Sequence, residues 1–401
     1  MFSPRLIALF SLWFLIQAPL LRAETWTVLV YWAVDNDLYE FSIPYLRQFE
    51  KVGSGSGLNL VVETDYPGNR KSERTLILKD DGSPGRPDQD LPHSLTLQTL
   101  QQETRSARPR TLARFLDWGM KHFPAERYAL VIGSHGMNWR GIIEDGSREE
   151  VMSLQGLGSV LSGFARKRGA PLDLLTLDAC RMAFGEVLDS LKGRARFMLA
   201  SQFDVNGFDH ASPLLELRAL PDLEPEELGR RYVRHYPTRD AGEPDFSAAL
   251  LSLAPENIDR FHLDLDEVSN LILNLRAEER LILRNHLMFT RNEYQDLAVD
   301  FGHLIEALMR TSPLAGTRLE GLLNRWTPGQ RQVDAWGSLH LDRYPDQSPV
   351  VSTSVTAGSS PARGLSLTCS SETTRYADSP FGRRHPNWVT ACAILAPARA
   401  Q

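Results

Sequence analysis

The chain has 401 residues, 42% of them hydrophobic and 23% charged, with a formal charge of −6. These values suit a globular protein with ample apolar material for a core, and exclude a disordered chain, a repeat array and a coiled coil. No stripe of Lys and Arg interleaves with aromatics, which excludes a nucleic-acid footprint.

Residues 1–23 differ from the rest. Arg5 precedes an almost wholly apolar run, Leu6 to Leu21, and Leu21-Arg22-Ala23 ends on a small residue. This is the pattern of a signal peptide cut after Ala23. The run is shorter than the ~20 residues a membrane span needs. Removing it takes away Arg5 and Arg22 and moves the formal charge from −6 to −8. The expectation is a periplasmic or extracellular protein with no membrane contact beyond export, and a monomer.

The first half then alternates apolar runs with helical patterns. Trp26 to Trp32 reads as a buried strand, Asp35-Asn36-Asp37 as a helix cap, and the stretch to about Val52 as a helix. A Gly/Ser turn leads to a second strand, Leu58 to Thr64. Residues 67–92, rich in Pro, Gly and Asp, read as a connection with one short strand, Thr75 to Leu78. Helices are expected at 110–123, 154–167 and 182–191, and strands at 128–132, 172–177 and 197–200. Continuous apolar strands separated by helices indicate an α/β sandwich with a mostly parallel sheet. Residues 24–220 form this core. Residues 221–401 read as an α+β region, either a separate subdomain or an extension of the core. Helical patterns there cover 224–236, 255–277, 279–289 and 297–310, with strands at 246–253, 337–341 and 364–369.

Three cysteines are present. In an oxidising compartment an odd count suggests one pair and one thiol kept free. Cys369 and Cys392, close in sequence, are the natural pair, which leaves Cys180.

Two strand ends carry the chemistry. One runs Tyr128-Ala-Leu-Val-Ile-Gly-Ser-His135-Gly136 and the other Leu172-Asp-Leu-Leu-Thr-Leu-Asp178-Ala179-Cys180. Residues beyond the carboxyl ends of parallel strands line the ligand crevice of an open α/β sheet. A thiol beside an imidazole is a nucleophile with its acid/base partner. Backbone N–H groups of Gly136 and Cys180 would form an oxyanion hole. A helix beginning after Cys180 would aim its positive end at the thiolate. Taken singly, each feature has an ordinary explanation: a small buried hydrophobe, a turn, a helix cap.

Together, the His-Gly and Asp-Ala-Cys strand ends resemble the clostripain family of cysteine peptidases, whose catalytic core is similar to that of caspases, gingipains and legumains. Trp26 to Tyr31 with Asp35-Asn-Asp-Leu38 resembles the family's opening strand and turn. Tyr128 to Asp145 resembles its histidine block, Leu172 to Val187 its cysteine block, and Gly364-Leu-Ser-Leu367 a late strand. The resemblance implies a caspase-like three-layer α/β/α sandwich, Cys180 as nucleophile and His135 as general acid/base. It also implies peptide or protein substrates cleaved after Arg or Lys, with Asp178 lining an acidic S1 pocket. After Ala200-Ser201 the family usually has paired acids, where this chain has Gln202-Phe203; Asp204 or Asp209 are the substitutes. Arg148 is a candidate self-processing site, with an ordinary exposed arginine as the alternative. Calcium dependence occurs in the family, yet no twelve-residue calcium loop is present, and no metal ligands are assigned.

No Gly-x-Ser-x-Gly elbow and no His-Glu-x-x-His or Cys-x-x-Cys motif occurs, which disfavours a serine hydrolase and a zinc enzyme. The competing expectation is a secreted binding protein that keeps the peptidase fold without turnover.

Overall fold

The computed structural model describes residues 24–55, 57–68, 70–100, 104–236, 247–291, 296–311, 316–333, 338–342, 344–345, 348–356, 362–370 and 373–396. The expected signal peptide, residues 1–23, lies outside them, as do Phe246 and Gly337 at the expected starts of two strands.

In chain order the first half comprises β1 (Glu24–Ala33), α1 (Tyr39–Leu46), α2 (Gln48–Val52), β2 (Leu58–Asp65), β3 (Glu73–Leu76), β4 (Leu95–Thr99), α3 (Pro109–His122), β5 (Ala125–Gly133), β6 (Ile142–Asp145), β7 (Glu150–Met152), α4 (Leu154–Arg168), β8 (Leu172–Asp178), α5 (Gly185–Leu191) and β9 (Ala195–Ala200). The second half comprises α6 (Ala211–Ala219), α7 (Pro225–His235), β10 (Ser247–Ser252), α8 (Pro255–Leu273), α9 (Ala277–His286), β11 (Thr290–Arg291), β12 (Leu297–Asp300), α10 (Phe301–Thr311), α11 (Gly316–Arg325), β13 (Gln330–Val333), β14 (Ser338–Asp342), β15 (Val350–Thr356), β16 (Ser366–Cys369), α12 (Thr373–Ala377), α13 (Pro380–Arg384) and α14 (Pro386–Leu395).

One sheet of order β13-β14-β15-β10-β9-β8-β5-β1-β2-β3-β4 organises the molecule. Its centre, β9-β8-β5-β1-β2, is parallel, and the strands added at both edges are antiparallel. Successive side chains of a strand point to opposite faces, and β1 shows the result. Leu29, Tyr31 and Ala33 join one core with α3, α4, α5 and α8. Trp26, Val28, Val30 and Trp32 join the other with α2, α6 and α7. This is the expected three-layer caspase-like sandwich. Strands from the C-terminal half extend the same sheet across β9–β10.

Local signals explain the covering helices. Pro109 occupies the first turn of α3, where a missing N–H costs nothing, and Leu112, Phe115 and Leu116 face the sheet. Ser153 caps α4 by accepting from Gly156 N, and Gly169 closes it in the left-handed region.

Four sequence expectations are corrected. Residues 182–184 are not helical, and α5 starts only at Gly185. Their backbone is spent across the chain: Arg181 N donates to Phe203 O, Ala183 N to Ser201 O, and Ser366 N to Ala183 O. Residues 297–300 form β12, not the start of a helix, because they pair with β11 and β16. Asp35-Asn36-Asp37 is no side-chain cap: Leu38 holds the cap position with no side-chain bond, and Asn36 Oδ1 accepts from Leu38 N. The stretch between the expected strand 128–132 and helix 154–167, which the sequence left without an element, contains the β6–β7 hairpin.

Candidate active site

Strands β5 and β8 are hydrogen-bonded neighbours, with Gly133 opposite Asp178. His135 and Cys180 each follow two residues later, so the register itself delivers them side by side. The histidine segment is then fixed from outside. Gly136 pairs with Ile142 of β6, through bonds from Ile143 N to His135 O and from Met137 N to Gly141 O. In this type of antiparallel pair the bonds belong to the flanking residues, so the Gly136 N–H is not spent on the hairpin. Gly136 also lies against the Cys180 segment: a Cβ on it would stand 2.2 Å from Cys180 O and 3.0 Å from Cys180 N. Only a residue without a side chain permits that approach.

His135 Nε2 lies 2.6 Å from Asp37 Oδ1 and 3.9 Å from a Glu144 carboxylate oxygen. Asp37 is 85% exposed and the imidazole 26%. Cys180 Sγ accepts from Val205 N at 3.4 Å. Burial pushes this thiol up to about 11, against the lowering effect of that amide; Asp204 and Asp178 push it further up. Among the described residues no hydrogen bond joins His135 to Cys180. The late start of α5 also removes the helix end from the thiol. In the resting structure Cys180 is therefore a protonated thiol held by a backbone amide, not a preformed ion pair.

A cavity of about 610 Å³ opens at these strand ends. Trp32, Val34, Leu38, Phe41, Pro44, Tyr45 and Val205 give it apolar walls, and Gly133, Ser134, Asp178, Ala179 and Cys180 line the strand-end side. Asp178 is the acid of this cavity among the three named from sequence. Its Oδ2 contacts His210 Nε2 at 2.9 Å and accepts from Phe208 N at 3.3 Å. Its Oδ1 takes no hydrogen bond among the described residues. Asp204 and Asp209, the other expected S1 acids, stand outside the lining. Asp204 is committed to Arg181 at 2.7 Å, and Asp209 accepts from Ser212 N and Oγ in the first turn of α6. Gln202-Phe203 stands outside it as well. Gln202 is fully buried and bonds Asp300, Ser366 Oγ and Gly364 N, while Phe203 packs with Val355 and Ala362. The altered segment therefore serves the joint with the C-terminal half rather than the cavity.

Arg148 sits in the exposed turn between β6 and β7. Cys369 and Cys392 form a disulfide with Cα atoms 5.1 Å apart, and Cys180 is free. Two residues beside the site had no signal in the sequence: Asp37, read as a cap, and His210, thirty-two residues after the acid it touches.

The model of one family, the clostripain family of peptidases, matches residues 30–308. The chain belongs to the clostripain family. Solved clostripain-family structures share the fold at low identity. An inactive zymogen C11 protease from Parabacteroides distasonis is 19% identical, with a TM-score of 0.61, covering 90% of this chain and 98% of its own. A secreted C11 cysteine protease from Bacteroides thetaiotaomicron, called iotapain, gives a TM-score of 0.63 at 14% identity, covering 90% and 99%. A secreted C11 protease of the same organism, bound to an irreversible peptide inhibitor, gives 0.60 at 17%, covering 91% and 99%. No curated protein sequence matches the chain.

Proposed function

We propose that this chain is an exported cysteine endopeptidase that cleaves peptide bonds after Arg or Lys, with Cys180 as nucleophile and His135 as general acid/base. The observation that carries the reading is the register of β5 on β8, which sets His135 and Cys180 each two positions beyond one paired couple, with Cys180 and Asp178 both lining the cavity.

The geometry supports a two-step course. A peptide filling the cavity displaces the resting contacts of Sγ, and His135 takes the thiol proton as the sulfur attacks the scissile carbonyl carbon. The carbonyl π electrons move to oxygen, which the N–H groups of Gly136 and Cys180 would hold. When the intermediate collapses, the C–N bond breaks and His135 returns the proton to the leaving amine. Water, deprotonated by His135, then releases the acyl group and restores the thiol. Asp37 orients the imidazole through its 2.6 Å contact. Asp178 keeps Oδ1 for a guanidinium or ammonium, while His210 and Phe208 N hold its other oxygen. Arg148, exposed on its hairpin turn, is the proposed self-cleavage point. The Cys369–Cys392 disulfide supports an oxidising compartment.

Peptide reporters with Arg, Lys, Asp or Leu before the cut test the reading, alongside Cys180→Ala. Turnover of the Arg and Lys reporters that vanishes in Cys180→Ala is the expected result. Turnover surviving that change rejects the mechanism, and preference for Asp or Leu rejects the assignment of Asp178. The unpaired, protonated state of Cys180 favours a second reading, a binding protein without turnover; that reading requires that no reporter acylates Cys180.

A further inference from the structure

A buried chain of polar groups stands behind Asp178. His210 immediately precedes α6, and its backbone N–H donates to Gln48 Oε1 of α2 at 2.7 Å. The imidazole is wholly buried in an aromatic box. Phe49 stacks on it with ring centroids 4.7 Å apart, and Trp32, Phe208 and Tyr232 meet it edge-on at 6.3, 6.5 and 5.7 Å. Two polar contacts leave the box. Nε2 lies 2.9 Å from Asp178 Oδ2, and Nδ1 lies 3.3 Å from Tyr232 Oη.

The proton positions follow from what each group can give. Tyr232 Oη has no other partner among the described residues. Burial raises this phenol well above its usual range, and Asp209 and Asp178 act in the same direction. The phenol therefore keeps its proton and donates it, and Nδ1 is the acceptor in reach. The imidazole proton then sits on Nε2 and is donated to Asp178. A doubly protonated ring would leave the phenol proton without an acceptor and would cancel the charge of Asp178. Phe208 N donates to the same Oδ2 at 3.3 Å. A carboxylate oxygen has two lone pairs, so Oδ2 is filled. Among the described residues no Lys or Arg pairs with Asp178, and Oδ1 takes no hydrogen bond. The acid thus offers a ligand its whole charge but a single oxygen.

That difference matters between cations. Arginine gains over lysine where its planar fork meets both oxygens of a carboxylate in two parallel bonds. One free oxygen forbids the fork and suits an ammonium as well as a guanidinium. We propose that His210 is a positioning residue for substrate recognition. Steadied by Tyr232, it fixes Asp178 so that the pocket takes lysine and arginine side chains alike and rejects their neutral isosteres. This role rests on the function proposed above, in which Asp178 is the acid that meets the substrate cation.

The test measures binding without turnover. Cys180→Ala protein is titrated by calorimetry with acetylated peptide amides ending in Arg, Lys or citrulline, the uncharged isostere of arginine. The Arg and Lys peptides should bind within about threefold of each other, and the citrulline peptide about 100-fold more weakly. His210→Phe keeps the stack on Phe49 and removes both ring nitrogens; the Arg-to-citrulline ratio should fall about tenfold. A glutamine amide N–H can replace Nε2–H, so His210→Gln should restore the ratio to within about threefold. In an Asp178→Asn background His210→Phe should change the ratio no further, since it acts through that carboxylate. Melting temperature checks folding, and His210→Phe with Tyr232→Phe, which leaves no orphaned hydroxyl, replaces the single variant if that one does not fold. The nitrogen NMR spectrum of labelled histidine should show a proton on His210 Nε2 and none on Nδ1 at neutral pH. An Arg peptide held more than about tenfold tighter than the Lys peptide overturns the single-oxygen geometry. A ratio unmoved by His210→Phe, a loss that persists in Asp178→Asn, or a doubly protonated ring overturns the role of His210. A ratio unmoved by Asp178→Asn itself brings down the reading of Asp178 and this role with it, so the two failures are told apart.

Discussion

Gly136→Ala is the sharpest probe of the paired strand ends. The added methyl would lie 2.2 Å from the Cys180 carbonyl oxygen and 3.0 Å from both Cys180 N and Ala179 Cβ. Ordinary contact is about 3.5 Å, so the two segments must part by about 1 Å. No flexible side chain can absorb this, because the nearest atoms are backbone. A displacement of that size at reacting groups costs about 100-fold in rate, or about 2.7 kcal/mol in the transition state. Overpacking should also cost about 1–3 kcal/mol of stability. The assay is kcat/KM on an Arg reporter together with the melting temperature. Gly163→Ala on α4 is the control, since its methyl meets nothing nearer than 3.8 Å; it should be neutral or slightly stabilising. A folded Gly136→Ala protein within threefold of wild type in kcat/KM would refute the placement of the histidine segment against Cys180.

Other outcomes follow from the same structure. With Cys180 pushed up to about 11, the resting thiol is neutral at pH 7, and alkylation by iodoacetamide should rise about tenfold per pH unit from pH 7 to 10; a plateau below pH 8 contradicts the resting state described. Asp178→Asn should lower kcat/KM on Arg reporters about 100-fold, as expected for a buried charge partner lost, while a Leu reporter changes little. Asp37→Ala, at an exposed contact, should lower kcat/KM only about threefold and leave KM unchanged; a hundredfold loss would show that Asp37 does more than orient the ring. Cys369→Ser with Cys392→Ser opens a loop of 23-residue separation and should cost about 3 kcal/mol, read as a melting temperature lower by about 4 °C.

The parallel centre of the sheet was legible because β1, β5 and β8 are apolar on both faces, and such runs have few alternatives to a doubly covered strand. Their ends, His135-Gly136 and Ala179-Cys180, were legible for the same reason: the apolar run stops where the chemistry starts. The edges were not. β4 is largely exposed, and β15 carries Ser and Thr where an apolar pattern would have marked it. β12 was hidden because Leu297 to Asp300 runs straight into the periodic pattern of α10, and its pairing with β11 and β16 makes it a strand. The partners of the site were silent for another reason. Asp37 reaches His135 across 98 residues, and Ser147 reaches Asp35 across 112. Contacts of that range leave no periodic trace; an acid in a turn looks the same whether it caps a helix or holds an imidazole.

The joint behind Cys180 has a consequence for the birth of the protein. Glu186 accepts from Thr368 N and Tyr376 Oη, 182 and 190 residues further along, and Ala183 O receives Ser366 N. A ribosome releases the chain from its N-terminus, so the wall behind Cys180 is missing until nearly the whole polypeptide has emerged. The order of synthesis thus delays completion of the candidate site, and a truncated product lacks the parts that would finish it.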